Sequence, residues 1–270
     1  MKTTVLTILT FFVSIASFGQ RNIGLQSSPN FRELGGMNIS GDAKIKEGMI
    51  YRSGSFSDLD DADAEKLKET GIKTIVDFRS EHEIEKEPDF IPESMGIDWI
   101  NAPIGNINPE KLGKFAEVLM SPEFNEAAVE QLMIDINVGF IENIADFKPM
   151  FDVLLEEEEP VLFHCTAGKD RTGLASSLLL HALGADWDTI LEDFMLSNEA
   201  VDKLDKKKSN AYGLPQDRID MLMGVRSSYL ESAWETAIQT HGSIDSMLEN
   251  ELGIGEKEKN KLRKKFLVKK

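Results

Sequence analysis

The stretch PVLFHCTAGKDRTGLASSLLL, residues 160–180, decides which fold this chain can adopt. A proline opens the apolar run at residues 161–164, which has the length and composition of a buried strand. The polar segment CTAGKDR predicts a loop, and the apolar residues after Thr172 predict a helix. Parallel α/β sheets are built from a strand, a connection and a helix in this order. The chain is therefore predicted to be an α/β protein.

Further strand and helix candidates surround this unit. The strand candidates are residues 48–56, 72–79 and 96–104. An amphipathic helix is predicted over Asp58–Thr70, and residues 109–155 have a helical pattern with breaks at Pro122 and Pro149. Helices are also predicted from the loop to the C-terminus. The alternation predicts a central, largely parallel sheet flanked by helices, with a helical C-terminal portion.

The first 19 residues have the layout of a secretory signal peptide. Lys2 precedes an apolar run from about Val5 to Ile15, and small residues lead to Gly19. The run is shorter than the roughly 20 residues that span a membrane, although an N-terminal membrane anchor is the alternative interpretation. We expect residues 1–19 to be removed on export. Residues 20–270 are expected to form one domain in the periplasm or outside the cell.

Composition limits the partners of this chain and the chemistry of its cysteine. The sequence has 30 Lys and Arg against 47 Asp and Glu, a formal net charge of −17. Nucleic acid would be repelled by that charge, so any anionic ligand needs a local positive site. Cys165 is the only cysteine, which excludes an internal disulfide and argues against a thiol-disulfide or cysteine-based metal site. An unpaired cysteine in an exported chain indicates a reactive thiol.

The loop CTAGKDR has the features of an anion site built around that thiol. It follows a buried strand and precedes a helix, so free helix N–H groups point into it. Gly168 permits a left-handed backbone that turns successive N–H groups inward, and Arg171 offers a two-pronged donor to phosphate oxygens. This positive field favours the thiolate of Cys165, which could attack a phosphate monoester. Thr172 could donate a hydrogen bond to the sulfur.

Other interpretations of the loop remain open at this point. A buried structural cysteine, a phosphate-binding module without catalysis and a sulfurtransferase of the rhodanese kind each use some of these features. A Walker nucleotide loop is excluded, because no glycine stands five positions before Gly168 and no Ser or Thr follows Lys169. The pair of Cys165 and Arg171 favours phosphate chemistry over the remaining alternatives.

The segment HCTAGKDRTG, residues 164–173, resembles the signature of cysteine-dependent protein tyrosine phosphatases, and more narrowly their bacterial secreted tyrosine/serine phosphatase branch. Further matches are NFRELGG (30–36), IYRSG (50–54), IVDFRSEHE (75–83), FMLSNE (194–199) and HGSIDSMLENELGI (241–254). The resemblance implies a protein tyrosine phosphatase-like fold and an enzyme without metal or cofactor. It implies phosphotyrosine as substrate, with phosphoserine and phosphothreonine as further candidates.

The same resemblance assigns a role to each loop residue. Cys165 takes the place of the nucleophile and Arg171 that of the phosphate clamp. The backbone cradle consists of Thr166, Ala167, Gly168, Lys169 and Asp170. Asp170 occupies the position proposed for the general acid in this branch, with Asp77 and Asp98 in reserve. His164 is expected to orient the loop through backbone hydrogen bonds.

Three charged features leave two interpretations each. Lys169 adds a second positive charge, and C-x-x-G-K-x-R also resembles phosphoinositide phosphatases, which makes a phosphoinositide the alternative substrate. Otherwise Lys169 contacts a phosphotyrosine substrate or a neighbouring carboxylate. Arg32 either helps to hold the loop or pairs with Glu33 or another carboxylate. The basic C-terminal segment either touches an anionic surface or forms an amphipathic helix with its lysines in solvent and with packed apolar residues, namely Leu262, Phe266 and Leu267.

Overall fold

A computed structural model describes residues 25–28, 30–105, 113, 117–201 and 216–270. The predicted signal peptide lies outside the described residues, and so does part of the helical region predicted over 109–155. No helix within the described ranges is long and apolar enough to cross a membrane.

The described chain contains eight β-strands. They are β1 (Arg32–Glu33), β2 (Asn38–Ile39), β3 (Ala43–Ile45), β4 (Ile50–Ser53), β5 (Thr74–Asp77), β6 (Asp98–Asn101), β7 (Val161–His164) and β8 (Leu267–Lys269). Five of them form the main sheet in the order β1-β4-β7-β5-β6. Strands β4, β7, β5 and β6 are parallel, and the edge strand β1 is antiparallel to β4. The predicted, largely parallel sheet is confirmed.

Helices flank this sheet and fill the C-terminal portion, as predicted. They are α1 (Asp61–Glu69), α2 (Glu81–Lys86), α3 (Glu126–Glu142), α4 (Lys148–Glu156), α5 (Arg171–Leu183), α6 (Trp187–Met195), α7 (Ser197–Val201), α8 (Gln216–Met223), α9 (Ser227–His241), α10 (Ile244–Leu252) and α11 (Glu256–Phe266). The predicted break at Pro149 is confirmed, because α3 ends at Glu142 and α4 begins at Lys148 with this proline in its first turn. A proline is tolerated there because the first N–H groups of a helix have no partner within the helix.

The strand β7 and the helix α5 form the centre of the core. Every residue of β7 is buried, as expected for a strand whose sheet is covered on both faces. Leu174 and Leu178 of α5 are fully buried on one face of the sheet. On the other face, Leu162 packs with Ile75 and with Leu67 of α1. Cys165, the residue after β7, therefore follows a strand that is packed on both faces.

The C-terminus differs from the predicted helix in two respects. Leu262 and Phe266 are buried in α11 as predicted, but Leu267 is half-buried and belongs to β8. Strand β8 pairs with β3 and completes a small sheet of order β2-β3-β8, because the chain leaves the helix beside a free strand edge. Lys259 is also buried rather than in solvent, since its ammonium lies 2.6 Å from a carboxylate oxygen of Asp245.

Candidate active site

Cys165 stands where the sequence predicted it, between β7 and the loop that leads into α5. His164 ends β7 and lies in register with Ser53 of β4 and Asp77 of β5. The loop therefore leaves the sheet at the carboxyl ends of three parallel strands, which is where open α/β sheets bind ligands. Cys165 is buried, with 3% of its surface exposed. The loop joins this thiol to Arg171, the first residue of α5.

The carbonyl groups of the loop are held from outside it. The backbone N–H of Ser55 donates to the carbonyl oxygen of Thr166 at 3.0 Å. The side-chain amide of Asn30 donates to the carbonyl oxygens of Ala167 at 3.2 Å and Gly168 at 2.7 Å. The carbonyl oxygens of three consecutive peptide groups are therefore held by residues in or directly after the segments NFRELGG and IYRSG.

A second donor on Gly168 completes this arrangement and sets the direction of the loop N–H groups. Nη2 of Arg52 donates to the carbonyl oxygen of Gly168 at 2.9 Å. The C=O and N–H of a trans peptide point in opposite directions. The N–H groups of Ala167, Gly168 and Lys169 therefore point away from these donors and into the loop. This is the geometry of an anion-binding nest.

Gly168 is required by both its backbone and its surroundings. Its φ angle is +66°, in the left-handed region that favours glycine. A Cβ atom built there would lie 2.3 Å from the carbonyl oxygen of Ser53 and 2.5 Å from the nitrogen of Gly54. The loop therefore packs directly on the backbone at the end of β4, and a side chain at this position would push the two apart.

Arg171 is fixed by a two-pronged ion pair with Glu83 of α2. Its Nη1 donates to Oε2 at 2.9 Å and its Nη2 to Oε1 at 2.6 Å. Nη1 also donates to the carbonyl oxygen of Phe78 at 3.1 Å. Thr166 donates its hydroxyl to Oε1 of Glu83 at 2.7 Å, so one carboxylate connects the two ends of the loop. Such a fork holds the guanidinium plane in one orientation.

The charges of this pair are secured over the physiological pH range. Burial alone would raise the pKa of Glu83, but the hydrogen bonds from Arg171 and Thr166 lower it well below its usual range. Burial would lower the pKa of Arg171, but its hydrogen bonds to Glu83 and the charge of that carboxylate raise it. Glu83 is itself placed by a capping box with Ser80 at the start of α2.

His164 forms a hydrogen bond to the backbone of the loop, the kind of contact that its predicted role requires. Its Nδ1 lies 3.2 Å from the carbonyl oxygen of Cys165, which can only accept, so Nδ1 carries the proton of this bond. Burial lowers the pKa of His164 and outweighs the nearby carboxylates of Asp77 and Asp89. The neutral ring therefore serves as a fixed donor to the backbone beside the thiol.

Asp77 and Asp98, the reserve candidates for the general acid, do not fit that role. Asp77 is fully buried, and its two carboxylate oxygens lie 3.0 and 3.1 Å from Nε of Arg79. Asp77, Asp89 and His164 converge closely enough to bind a cation, but Arg79 pairs with both carboxylates there. Asp98 is paired in register with the first residue of β5, about 10 Å along the sheet from the loop end.

Asp170 is the carboxylate that the structure places at the loop itself. It precedes Arg171 and occupies the N-cap position of α5 without forming a capping bond from its side chain. Its Oδ1 is buried and makes no hydrogen bond within the described residues. Its Oδ2 lies 3.4 Å from the ammonium of Lys169. The role of Asp170 as general acid stays a prediction.

The ammonium of Lys169 contacts the end of α8 as well as the carboxylate of Asp170. Its ammonium donates to the carbonyl oxygens of Leu222 at 2.7 Å and Gly224 at 3.2 Å, at the C-terminal end of α8. Only 8% of the residue is exposed. The last carbonyl groups of a helix have no partners within it, so a buried lysine satisfies them. The backbone N–H of Lys169 still belongs to the cradle, while its charge is engaged with α8.

Thr172 is placed as predicted, but its hydroxyl bond is absent. The side chain is fully buried in the first turn of α5. Its hydroxyl makes no hydrogen bond in the part of the chain that the structure describes, so the bond to the cysteine sulfur is not formed here. A role of Thr172 toward the sulfur stays a prediction.

Sequence reasoning missed several residues that hold the loop in place. They are Asn30, Arg52, Glu83 and Asp193. Asn30, Arg52 and Glu83 stand inside the segments that resemble the phosphatase motifs, and this was the signal that could have identified them. Arg32 pairs with Asp193 at 3.1 Å rather than with Glu33, and it also donates to Asn30. Arg32 therefore does both things that were predicted for it. It pairs with a carboxylate, and it helps to hold the loop through Asn30.

Comparison with known proteins identifies the family and several relatives of this chain. The model of the tyrosine phosphatase family matches residues 23–268. A protein of Cupriavidus necator named as a tyrosine-protein phosphatase is 29% identical over 242 residues, 87% of this chain and 86% of its own. The triple specificity protein phosphatase PtpB of Mycobacterium tuberculosis is 29% identical over 274 residues, 87% of this chain and 95% of its own.

Solved structures of phosphatases are also similar to this chain. One is that of P. aeruginosa TpbA in complex with pTyr, with a TM-score of 0.28 and 16% identity over 67% of this chain and 90% of that one. The predicted resemblance and the predicted enzyme class are confirmed by the match over residues 23–268. The chain belongs to the tyrosine phosphatase family.

Proposed function

We propose that the protein hydrolyses phosphotyrosine, and also phosphoserine and phosphothreonine, through a phosphocysteine intermediate on Cys165. The observation that carries this proposal is the loop beside the thiol, where three peptide groups turn their N–H groups inward between Cys165 and Arg171. A tetrahedral dianion bound there places its phosphorus beside the sulfur. The N–H groups and the guanidinium then face the oxygens that carry the developing charge.

The first half of the proposed reaction forms the intermediate. The Cys165 thiolate attacks phosphorus, the new S–P bond forms, and the P–O bond to the tyrosine oxygen breaks. Asp170 gives its proton to that leaving oxygen. The cradle and Arg171 stabilise the charge on the equatorial oxygens throughout.

The second half regenerates the enzyme. Water attacks the phosphocysteine as the ionised Asp170 takes its proton, and the S–P bond breaks with its electron pair returning to sulfur. Inorganic phosphate and the thiolate result, so protons and charges balance over the cycle. No step requires a metal ion, since the loop N–H groups and Arg171 supply the positive charge.

The position of Lys169 supports a phosphoprotein substrate over a phosphoinositide. A second phosphate group would need the ammonium of Lys169, and that ammonium is bonded to carbonyl oxygens of Leu222 and Gly224. A phosphoinositide phosphatase, the alternative substrate class, would first have to release Lys169 from α8. The name of the relative PtpB, a triple specificity phosphatase, also supports a range beyond phosphotyrosine.

We also propose that the protein acts after export. The support is the signal-peptide layout of residues 1–19, with its short apolar run and small residues before Gly19. Its substrates would then be phosphorylated proteins or peptides of the periplasm or of the surroundings of the cell. Mass determination of the N-terminus of protein recovered outside the cytoplasm tests this, and an uncleaved Met1 would contradict it.

Turnover in the presence of a chelator tests the proposed reaction. We expect residues 20–270 to hydrolyse p-nitrophenyl phosphate at an unchanged rate in excess EDTA, because the charge stabilisation comes from the protein. The matched control is Cys165→Ser protein from the same preparation, which should be inactive. Strict metal dependence would contradict the mechanism.

The same preparation discriminates the alternative functions. Phosphotyrosine peptides, phosphoserine peptides and phosphoinositides are assayed side by side, and faster turnover of the lipids would favour the alternative substrate class. Sulfur transfer from thiosulfate to cyanide would reveal a rhodanese-type enzyme. Phosphate binding without any turnover would indicate an inactive binding module.

A further inference from the structure

A buried carboxylate on α6 lies behind the active-site loop, and the proposed reaction does not use it directly. Asp193 is 1% exposed. Its Oδ1 accepts from Nε of Arg32 at 3.1 Å, and its Oδ2 accepts from Nη1 of Arg52 at 2.5 Å. Its backbone carbonyl also accepts from Nη2 of Arg32 at 2.9 Å. One residue of α6 thus orients both guanidinium planes.

Each of these arginines is connected to the loop by separate hydrogen bonds. Arg52 uses its second prong, Nη2, to donate to the carbonyl oxygen of Gly168. Arg32 donates through Nη1 to Oδ1 of Asn30. Because a guanidinium has only donors, this contact fixes which end of the Asn30 amide is oxygen. The Nδ2 end is left to donate to Ala167 and Gly168.

The packing of α6 on α5 explains how Asp193 reaches this place. A Cβ atom on Gly173 would lie 2.7 Å from Cε2 of Phe194, so the absence of a side chain lets the two helices approach. The same Cβ would lie 3.7 Å from Nη2 of Arg52. The glycine that follows Arg171 and Thr172 in the motif therefore admits α6, and with it Asp193, to the back of the loop.

The cluster of Arg32, Arg52 and Asp193 also carries one excess positive charge inside the protein. Burial, together with the charge of Arg32, lowers the pKa of Arg52 to about 10, while Asp193 acts to raise it. Arg52 therefore remains charged at neutral pH. A cation without a carboxylate at this depth would be strongly destabilising, so Asp193 is needed to keep both arginines there.

We infer that Asp193 is a positioning residue, which holds Arg52 and Arg32 so that the carbonyl groups of Ala167 and Gly168 stay turned out of the loop. The loop N–H groups are thereby kept pointing at the bound phosphate. This inference rests on the proposed function, because it assumes that the loop binds the phosphoryl group. Asp193 touches neither the substrate nor Cys165 and acts only through its two partners.

Binding of inorganic phosphate, measured by calorimetry, tests this inference without requiring turnover. We expect Asp193→Asn and Arg52→Met each to lower the affinity by about tenfold or more, since charge-assisted hydrogen bonds that orient the cradle are lost. With substrate, kcat should fall more than KM rises, because the cradle holds the transition-state charge most tightly. Replacement of a residue with a purely structural role would not lower kcat more than it raises KM.

Lys259→Met is the matched control, since it replaces another buried, paired cation far from the loop with the same apolar residue. It should lower the melting temperature while leaving phosphate affinity within about twofold of wild type. Equal affinity losses in Arg52→Met and Lys259→Met would overturn the inference. So would wild-type affinity in folded Asp193→Asn.

A milder variant covers the case in which these proteins fail to fold. Arg52→Lys keeps a positive charge opposite Asp193 but lacks the rigid fork that reaches Gly168. It should lose phosphate affinity at a smaller cost in stability, and unchanged affinity would overturn the inference. If the wild type binds phosphate but turns nothing over, the proposed function fails while these affinities still decide the role of Asp193. A wild type that binds no phosphate would contradict both.

Discussion

Replacement of Cys165 by Ser is expected to lower turnover of every phosphomonoester by about 10⁴-fold or more, the scale on which loss of a nucleophile acts. A serine hydroxyl is a weak nucleophile at its ordinary pKa, unlike a thiol in this positive field, so attack on phosphorus is lost. The N–H cradle and Arg171 remain, so phosphate binding should persist. Initial rates with p-nitrophenyl phosphate and a phosphotyrosine peptide, together with phosphate calorimetry, measure both effects.

Arg171→Ala should disable the same substrates through a different defect. It removes the guanidinium and leaves the half-buried Glu83 beside the phosphate site without its arginine, so the carboxylate repels the dianion. Phosphate affinity should therefore fall as well, unlike in Cys165→Ser. Arg171→Lys is the matched control, since it keeps the charge but not the fork.

More than a tenth of the wild-type rate in Cys165→Ser would place the nucleophile elsewhere.

Asp170→Asn is expected to affect substrates according to their leaving groups. A general acid typically contributes about 10²–10⁴-fold when the leaving oxygen is strongly basic. Phosphotyrosine peptides should therefore slow by about that factor, whereas p-nitrophenyl phosphate, whose phenolate leaves without a proton, should slow far less. Steady-state rates over a series of aryl phosphates would measure this as a steeper dependence on leaving-group basicity.

A control separates this role from the shape of the loop. Asp170→Glu keeps an acid, so it should retain a shallower leaving-group dependence than Asp170→Asn even if its overall rate is reduced. Equal losses of Asp170→Asn on good and poor leaving groups would reduce Asp170 to shaping the loop. The acid would then not be Asp77 or Asp98, because Asp77 is buried against Arg79 and Asp98 lies at the far end of the sheet.

The sheet and the loop were predictable because their signals are contiguous. The apolar run of β7, the glycine in the loop and the helix after Arg171 all fall within 21 consecutive residues, 160–180. Local periodicity and turn chemistry are sufficient for such a unit. The parallel order of the strands followed from their alternation with helices.

The supporting contacts of the loop were not predictable, because they join residues that are distant in sequence. Glu83 meets Arg171 across 88 positions, and Arg52 meets Asp193 across 141. Nothing in the period of a helix shows which buried carboxylate will meet which arginine. Only the motifs around Asn30, Arg52 and Glu83 indicated that these segments come together.

Lys169 and Leu267 show how tertiary partners override local reasoning. A lysine inside an anion loop predicts contact with substrate, but the unpaired carbonyl groups at the end of α8 bind it first. The basic C-terminal segment predicts a helix through Leu267, but a free edge of β3 pairs with the chain one residue after Phe266. In both cases the deciding group is absent from the local sequence.

The phosphocysteine intermediate is tested most directly by trapping it during turnover. The protein is mixed with excess p-nitrophenyl phosphate, quenched in acid within the first turnovers and digested, and the peptide containing Cys165 is examined by mass spectrometry. The proposed mechanism predicts one phosphoryl group on the Cys165 sulfur, absent from Cys165→Ser protein treated in the same way. A phosphoryl group on another residue, or an active enzyme that never carries phosphate under quench conditions that preserve a thiophosphate ester, would contradict it.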